Sequence, residues 1–416
     1  MPRRVAVVGA GIVGLSTAWF LQAHGVHVTV IERRHVAAGS SWGNAGWLTP
    51  ALTAPLPDPA VLSYGVRALL SPSSPVYVPL RADARLLRFL LGFTRHSTAR
   101  RWGVGMRAYA PVNRIALDAF DELTAGGVQA GTRPAEPFLA CYRTPQERDA
   151  LVRTLRDIET AGQDVKFDVL SGEEARSLEP SLSPATTTAV RLHGQRFIDP
   201  PAYLRSLADA VHDRDGDVIE GVSVTRVTET SDGVVVHDGE GQERRFDAVV
   251  LANGAWLGDL ARPFGVRQPV QAGRGYSFSV PCEHLPRGPL YFPGQRVACT
   301  PVAAPGGPRL RVAGMMELRP PDAALDRRRI EAIAAAARPV LQGVDLDDRH
   351  EEWVGSRPCT PDGLPLIGAT RSPKVFTAGG HGMWGVALGP VTGKLLAERI
   401  VTGVTPTALT PFDPLR

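Results

Sequence analysis

At 416 residues and 44% hydrophobic, the chain can bury a large core and should divide into about two or three domains. Charged residues make up 21%, without long runs, and the net charge of +4 suits an anionic cofactor or surface; no basic block interleaved with aromatics occurs, which excludes nucleic acid as a partner. Four separated cysteines (Cys141, Cys282, Cys299, Cys359) form no C-x-x-C pair, which argues against a zinc site or redox dithiol and fits a reducing cytoplasm.

Residues 5–8 predict an apolar strand, followed by Gly9-Ala10-Gly11-Ile12-Val13-Gly14, a helix to Ala23, and a second strand, 27–31, ending on Glu32. This is the layout of a dinucleotide site. Gly9 permits a tight turn, Gly11 lets the backbone approach a pyrophosphate, and Gly14 lets the helix pack on the strand. Free N–H groups at the helix start favour an anion, and Glu32 can accept hydrogen bonds from ribose hydroxyls. Met1-Pro2-Arg3-Arg4 before an apolar run superficially resembles a secretory signal, but the glycine turn explains the run better. No stretch offers ~18 uninterrupted apolar residues, so a membrane span is not expected.

Residues 37–59 are rich in Gly, Ser, Asn and Pro and predict a long irregular loop of functional type. Helices are predicted over 84–94, 109–124 and 146–161, with strands at 138–142 and 167–169. Asp199-Pro200-Pro201 introduces a helix over 202–211. From Asp217 the pattern turns β, with strands at 218–220, 224–229 and 234–237 and a turn at Asp238-Gly239. The apolar run 248–252 then ends in Asn253-Gly254-Ala255-Trp256, as a buried parallel strand of the dinucleotide sheet would. Residues 269–318 alternate like an antiparallel sheet, with strands at 276–280 and 310–313. A helix over 328–341, a sheet strand at 374–378, the turn Gly379-Gly380-His381-Gly382 and a last helix to about Val401 complete the chain.

Ser40-Ser41 with Asn44-Ala45-Gly46, Gly275-Tyr276-Ser277, Gly355-Ser356-Arg357-Pro358 with Thr360-Pro361-Asp362-Gly363, and Gly380-His381-Gly382 add to the dinucleotide unit. In that order the chain resembles the FAD-dependent amino-acid oxidase/dehydrogenase superfamily, most of all the bacterial D-amino-acid dehydrogenases. The resemblance implies an α/β fold, α+β overall: a Rossmann-like FAD-binding domain (1–55, 145–265, 350–416) interleaved with a substrate domain (56–144, 266–349) built on an antiparallel sheet. It implies non-covalent FAD and oxidation of the C–N bond of a D- or cyclic amino acid by hydride transfer to flavin N5, the imine then hydrolysing. Sarcosine-, glycine- or hydroxyproline-type oxidation, and a redox-neutral flavoprotein, are the alternatives.

The same resemblance assigns roles. Arg357 would clamp the substrate carboxylate through its planar fork, and Tyr276 would hydrogen-bond that carboxylate, with Tyr291 and Arg274 as weaker candidates and Arg311 pointing to solvent. His381, with Gly380, Gly382 and Met383, would aim backbone N–H groups at the flavin. Arg33, Ser40, Ser41, Asn44, Ala45, Gly46 and Leu48 would touch the cofactor. Val224, Ala252, Asn253, Gly254 and Trp256 would lie near adenosine, and Gly355 beside the flavin. Trp47 and Trp384 would line the substrate pocket and favour a cyclic substrate. Cys359, where methionine is expected, reads as a buried thiol rather than a covalent flavin link. The electron acceptor (quinone, oxygen or protein) stays open. The location expected is cytoplasmic, with attachment to the inner face of the membrane as a variant.

Overall fold

Arg4–Val8 sits inside a six-stranded sheet in the order Asp217–Ile219, His27–Ile31, Arg4–Val8, Ala248–Leu251, Val375–Gly379 and Leu366–Ala369. The first five run parallel, and Leu366–Ala369 closes the edge antiparallel. Val5 to Val8 and Ala248 to Leu251 are buried at every residue, as strands covered on both faces must be. This is a computed structural model that describes residues 1–59, 76–77, 83–304 and 307–416. Parts of the expected 56–144 segment therefore lie outside the described residues.

Helix Ile12–Ala23 lies on this sheet against the final helix, Gly385–Thr402. Gly393 makes that contact close: a Cβ there would stand 2.6 Å from the backbone of Ser16 and Thr17. Gly14 does the same toward the turn, where a Cβ would fall 1.9 Å from the Gly9 carbonyl oxygen. The two ends of the chain are thus locked together beside the first strand.

A second sheet of nine strands runs His350–Cys359, Gln271–Val280, Gly307–Leu318, Val297–Ala304, Leu290–Phe292, Phe138–Tyr142, Thr188–Leu192 and Phe167–Ser171, with Val76–Tyr77 paired to Gly307–Leu318. Its pairs are antiparallel except those of Leu290–Phe292 with Phe138–Tyr142 and of Val76–Tyr77 with Gly307–Leu318. Helix Arg327–Ala337 covers it through Ile330, Ile333 and Ala337. A three-stranded antiparallel sheet, Val224–Glu229, Val234–Asp238 and Glu243–Phe246, packs on the parallel sheet through Val227, Val236 and Phe246.

The α/β class with an antiparallel second layer is as expected. Several finer expectations are corrected. Phe167–Ser171 and His350–Cys359 pair in the antiparallel sheet, so boundaries at 145 and 350 do not follow the sheets. Asp217–Ile219 is an edge strand of the parallel sheet rather than part of the hairpins. The helix expected over 109–124 is two helices, Ala99–Arg114 and Ala116–Ala125, broken at Ile115 (φ −107°, ψ 7°).

Because Gly393 touches backbone, Gly393→Ala must push two helices apart. The expected cost is about 1–3 kcal/mol, read as a lower urea midpoint with unchanged m-value; an unchanged midpoint would show that the helices slide freely.

Candidate cofactor and active site

Gly9 turns the chain at φ +108°, donates its N–H to the Ile31 carbonyl at 2.9 Å, and would place a Cβ 2.6 Å from the Ala252 oxygen. Only glycine fits this close approach of two parallel strands. Gly11 caps helix Ile12–Ala23 without a side-chain hydrogen bond, and the Ile12 N–H reaches Ser41 Oγ at 3.3 Å. A Cβ on Gly11 would meet only that hydroxyl, at 3.4 Å, so the turn leaves room for a ligand. Ala10 and Gly14 do not face that space: Ala10 is buried and its N–H goes to Glu32 Oε2 at 2.9 Å.

Glu32 is fixed by two backbone amides, Ala10 on one oxygen and Arg34 on the other at 3.1 Å. A carboxylate has about four acceptor positions, so capacity for two hydroxyls remains. Arg33 lies over the Trp256 ring, 3.5 Å from its centroid, and pairs with Asp322 at 3.2 Å. Trp256 Nε1 donates to the other Asp322 oxygen at 2.9 Å. Pro321, beside Asp322, lines the same cavity, and Ser356 Oγ donates to its carbonyl at 2.9 Å. The loop after Gly307–Leu318 is therefore drawn across the cavity beside Arg33 and Trp256. Sequence reading missed Pro321 and Asp322 because nothing local marks them. Arg274 anchors that loop from beneath, donating to the carbonyls of Ala323 (2.6 Å) and Ala324 (3.0 Å) and standing 3.5 Å from buried Glu317.

The loop carrying Ser40, Ser41 and Asn44 hangs from the antiparallel sheet. Ser277 Oγ donates to the Gly43 carbonyl at 2.8 Å, Thr300 Oγ1 to the Ala45 carbonyl at 2.7 Å, and Arg311 Nη1 to the Trp42 carbonyl at 3.1 Å. Arg311 also pairs with Glu351 and is only 3% exposed, so it does not point to solvent. Asn44 Oδ1 accepts from the Gly46 N–H at 2.8 Å, and Gly46 holds φ +76° where a Cβ would strike the Ile198 oxygen at 2.2 Å. Ala45, Gly46 and Leu48 support the loop without lining the cavity. Trp47 donates to Thr300 and packs edge-on against Phe138 and Tyr291 (4.9 and 5.3 Å), and neither it nor Tyr291 lines the cavity.

Arg357 projects from His350–Cys359 across Gly275, whose Cβ would fall 2.1 Å from Nη2. Nη1 donates to the Met315 carbonyl at 2.9 Å. Met315 holds φ +68° where the pairing of Gln271–Val280 with Gly307–Leu318 shifts register, a bulge that re-aims backbone at a site. Burial lowers the Arg357 pKa from its ordinary value, yet an arginine stays charged. No carboxylate pairs with it among the described residues. Tyr276, expected beside it, is on the opposite face: side chains alternate along a strand, and its hydroxyl donates to Glu317 at 2.6 Å within the second core. Cys359 lies 1% exposed among Leu86, Phe89 and Leu318, and burial pushes its thiol up to about 11, partly offset by Arg357. It is a protonated core thiol and does not line the cavity.

His381 is 2% exposed, with Nε2 at 2.9 Å from Thr392 Oγ1, and burial lowers its pKa to about 4. The ring is neutral at physiological pH. It fixes the turn to the last helix rather than carrying charge. The Gly382 N–H meets the Pro358 carbonyl at 2.8 Å, and Gly380 holds φ +77°. Helix Gly385–Thr402 starts without a side-chain cap. Trp384 Nε1 donates to the Ala54 carbonyl at 2.7 Å, and its ring does not line the cavity. Neither Trp47 nor Trp384 therefore offers a ring to a cyclic substrate, contrary to expectation.

These pieces meet in a cavity of about 390 Å³ lined by Gly11, Ile12 and Val13 from the first helix start and by His381 to Met383, Gly385 and Val386 from the last. Glu32, Arg33, Ser40, Ser41 and Asn44 line it, as do Val224, Ala252 to Gly254, Trp256, Gly355 and Arg357. Two uncapped helix N-termini facing one elongated space, with glycines where side chains would fill it, fit FAD. The first turn and Ser40–Ser41 would hold its pyrophosphate, Glu32 its ribose, and Asn44, Met383 and the last helix start its ring. Among the described residues no group of three His, Cys, Asp or Glu side chains is placed to hold a metal.

The fold is that of known flavoenzymes. Glycine oxidase from Geobacillus kaustophilus superposes with a TM-score of 0.72 at 22% identity, covering 100% of this chain and 99% of that one. L-proline dehydrogenase from P. horikoshii gives 0.71 at 16% identity over 100% and 98%. FAD-bound L-alpha-glycerophosphate oxidase from Mycoplasma pneumoniae gives 0.71 at 18% over 96% and 94%. The chain belongs to the FAD dependent oxidoreductase family, which matches residues 4–399. Its cofactor is FAD.

Asp322 ties Arg33 and Trp256 together at the cavity wall, so Asp322→Ala should speed FAD release on dilution by about five-fold, the factor of a ~1 kcal/mol partly exposed contact. FAD fluorescence recovery reads it; an unchanged rate would make the loop a bystander.

Proposed function

We propose that this enzyme oxidises the C–N bond of an α-amino acid or N-substituted α-amino acid, of the D series where the α-carbon is chiral. One observation carries the reading: a half-buried guanidinium, Arg357, faces the cavity with no carboxylate partner among the described residues. A cation partly withdrawn from water and without a counter-ion favours an anionic ligand, and a substrate carboxylate supplies it. Proteins named glycine oxidase and L-proline dehydrogenase share the fold, which supports an amino-acid substrate; the motif resemblance supports the D series.

Bound in the cavity, FAD would accept the hydride of the substrate α-carbon, leaving an imine that water hydrolyses. The chain's own residues bind and orient. Arg357, steadied by Met315 and given room by Gly275, would hold the carboxylate and so direct the α-carbon. Tyr276 is committed to Glu317, and His381 Nε2 faces Thr392, so neither serves as a base for the substrate. The amine must then arrive neutral. The four cysteines are free, which supports a cytoplasmic setting. Oxygen, a quinone or a protein remains open as acceptor, to be separated by turnover with and without oxygen.

Arg357→Ala should lower kcat/KM for an amino acid by about 100-fold, the factor of ~3 kcal/mol, with FAD content unchanged. Lost FAD with unaltered kcat/KM in reconstituted protein would assign Arg357 to the cofactor instead.

In the wild type, kcat/KM should rise with pH through the substrate amine's pKa. His381, lowered from 6.5 to about 4, should add no limb at neutral pH. Its linkage falls on stability instead. The unfolded chain takes up a proton below the ordinary imidazole pKa that the folded one refuses until about 4, so the folded state weakens as pH drops through that window. An imidazole limb removed by His381→Asn would contradict this.

A further inference from the structure

We propose that helix Ala84–His96, with the start of the following helix Ala99–Arg114, is a docking surface for an anionic lipid bilayer. The inner face of the first helix is fully used: Leu86, Phe89, Leu90 and Phe93 pack on Leu318, Met316 and Cys359, next to the strand that carries Arg357. Gly92 brings the helix close to Pro361, 2.7 Å from a built Cβ. Asp83 caps its N-terminus, accepting from the Arg85 and Leu86 N–H groups. The helix is therefore held in place without help from its outer face.

That outer face is apolar and basic. Leu87 and Leu91, one turn apart, are 59% and 64% exposed, and Val104 on the next helix is 55% exposed. Three of the eight large apolar side chains exposed among the described residues thus fall within residues 84–107. The same stretch holds six arginines and no Asp or Glu, more positive charge than the net +4 of the whole chain. Arg88 and Arg95 flank Leu91 at helical spacing, and Arg100 and Arg107 flank Val104 in the same way. Of the six, Arg85 pairs with Asp259; Arg88, Arg95, Arg100, Arg101 and Arg107 have no carboxylate partner among the described residues.

Scattered exposed leucines are ordinary. Here Leu91 and Val104 each stand between two arginines without a carboxylate partner among the described residues, with Leu87 one turn before Leu91, and this matches a bilayer interface: aliphatic chains enter the acyl boundary while guanidinium groups meet phosphate. No helix among the described residues is long and apolar enough to cross a membrane, so the contact would lie in the interface plane.

Co-sedimentation of the FAD-loaded protein with phosphatidylcholine vesicles, with and without phosphatidylglycerol, tests this. The wild type should bind the phosphatidylglycerol vesicles at least about ten-fold better at low salt and leave them as salt rises. Leu87→Ser/Leu91→Ser and Arg88→Glu/Arg95→Glu should each weaken binding at least about ten-fold, with melting temperature and substrate-driven flavin bleaching unchanged. The readout is independent of the amino-acid reading, so either can fail alone. Wild-type protein that stays in solution at low salt, or binding equal in wild type and the charge-reversed variant, overturns the proposal. A concentration-dependent dimer abolished by Leu87→Ser/Leu91→Ser, without vesicle binding, would assign the face to a second copy and overturn it too.

Discussion

Gly393 offers Ser16 and Thr17 no side chain to clear, so helices from the two ends of the chain meet backbone to backbone. Because they meet, their N-termini open side by side on the same space, Gly11 to Val13 from one helix and Gly385 to Val386 from the other. Each helix start carries about half a positive charge. A long ligand with a pyrophosphate in the middle and an electron-accepting ring beyond it matches two helix starts so placed. The rest of the fold fills in around it: the strand Ala248–Leu251 backs the first turn, and the antiparallel sheet covers the cavity from the other side.

The antiparallel sheet contributes through one face. Along Gln271–Val280, Gly273 and Gly275 leave space for Cys359 and Arg357, and Ser277 holds the loop at Gly43. The opposite face sends Arg274 and Tyr276 to Glu317. That carboxylate is shared with Arg319 at 3.1 Å and Arg329 at 3.3 Å, which satisfies a buried charge and stiffens the strand beneath the loop at Asp322. Arg357 is the contrasting case, a half-buried cation left open toward the cavity. One strand thus separates a neutralised charge cluster from a charge held for a ligand.

Local chemistry explains what could be read from the sequence. The glycine turn, both flanking strands and Glu32 carry their own constraints within some 30 residues, and the structure has each where its pattern requires. The strand at 138–142 and the helix after Asp199-Pro200-Pro201 were equally legible, from a short continuous apolar run and a proline start. Tyr276 failed because a motif names neighbours, whereas the alternation of a strand decides which neighbour faces the site. Trp47 and Trp384 failed for a related reason: their indole N–H groups found partners in Thr300 and Ala54, which turned the rings away. Met315, Pro321 and Asp322 reach the site through a bulge and a long-range ion pair, which leave no periodic trace in the chain.

The exposed helix Ala84–His96 lies directly over the strand that ends at Cys359, so the outer surface and the inner site share one element. At that inner site the chemistry rests on the pairing of a flavin with a carboxylate-bearing amine at Arg357. Anaerobic titration of the purified protein with a panel of D-, L- and N-substituted amino acids, followed in the flavin absorption band, tests it most directly. The protein should be yellow, at least one amino acid should bleach it, and the matching amine without its carboxylate should not. A protein that refuses FAD, or one that the decarboxylated amine bleaches equally well, would contradict it.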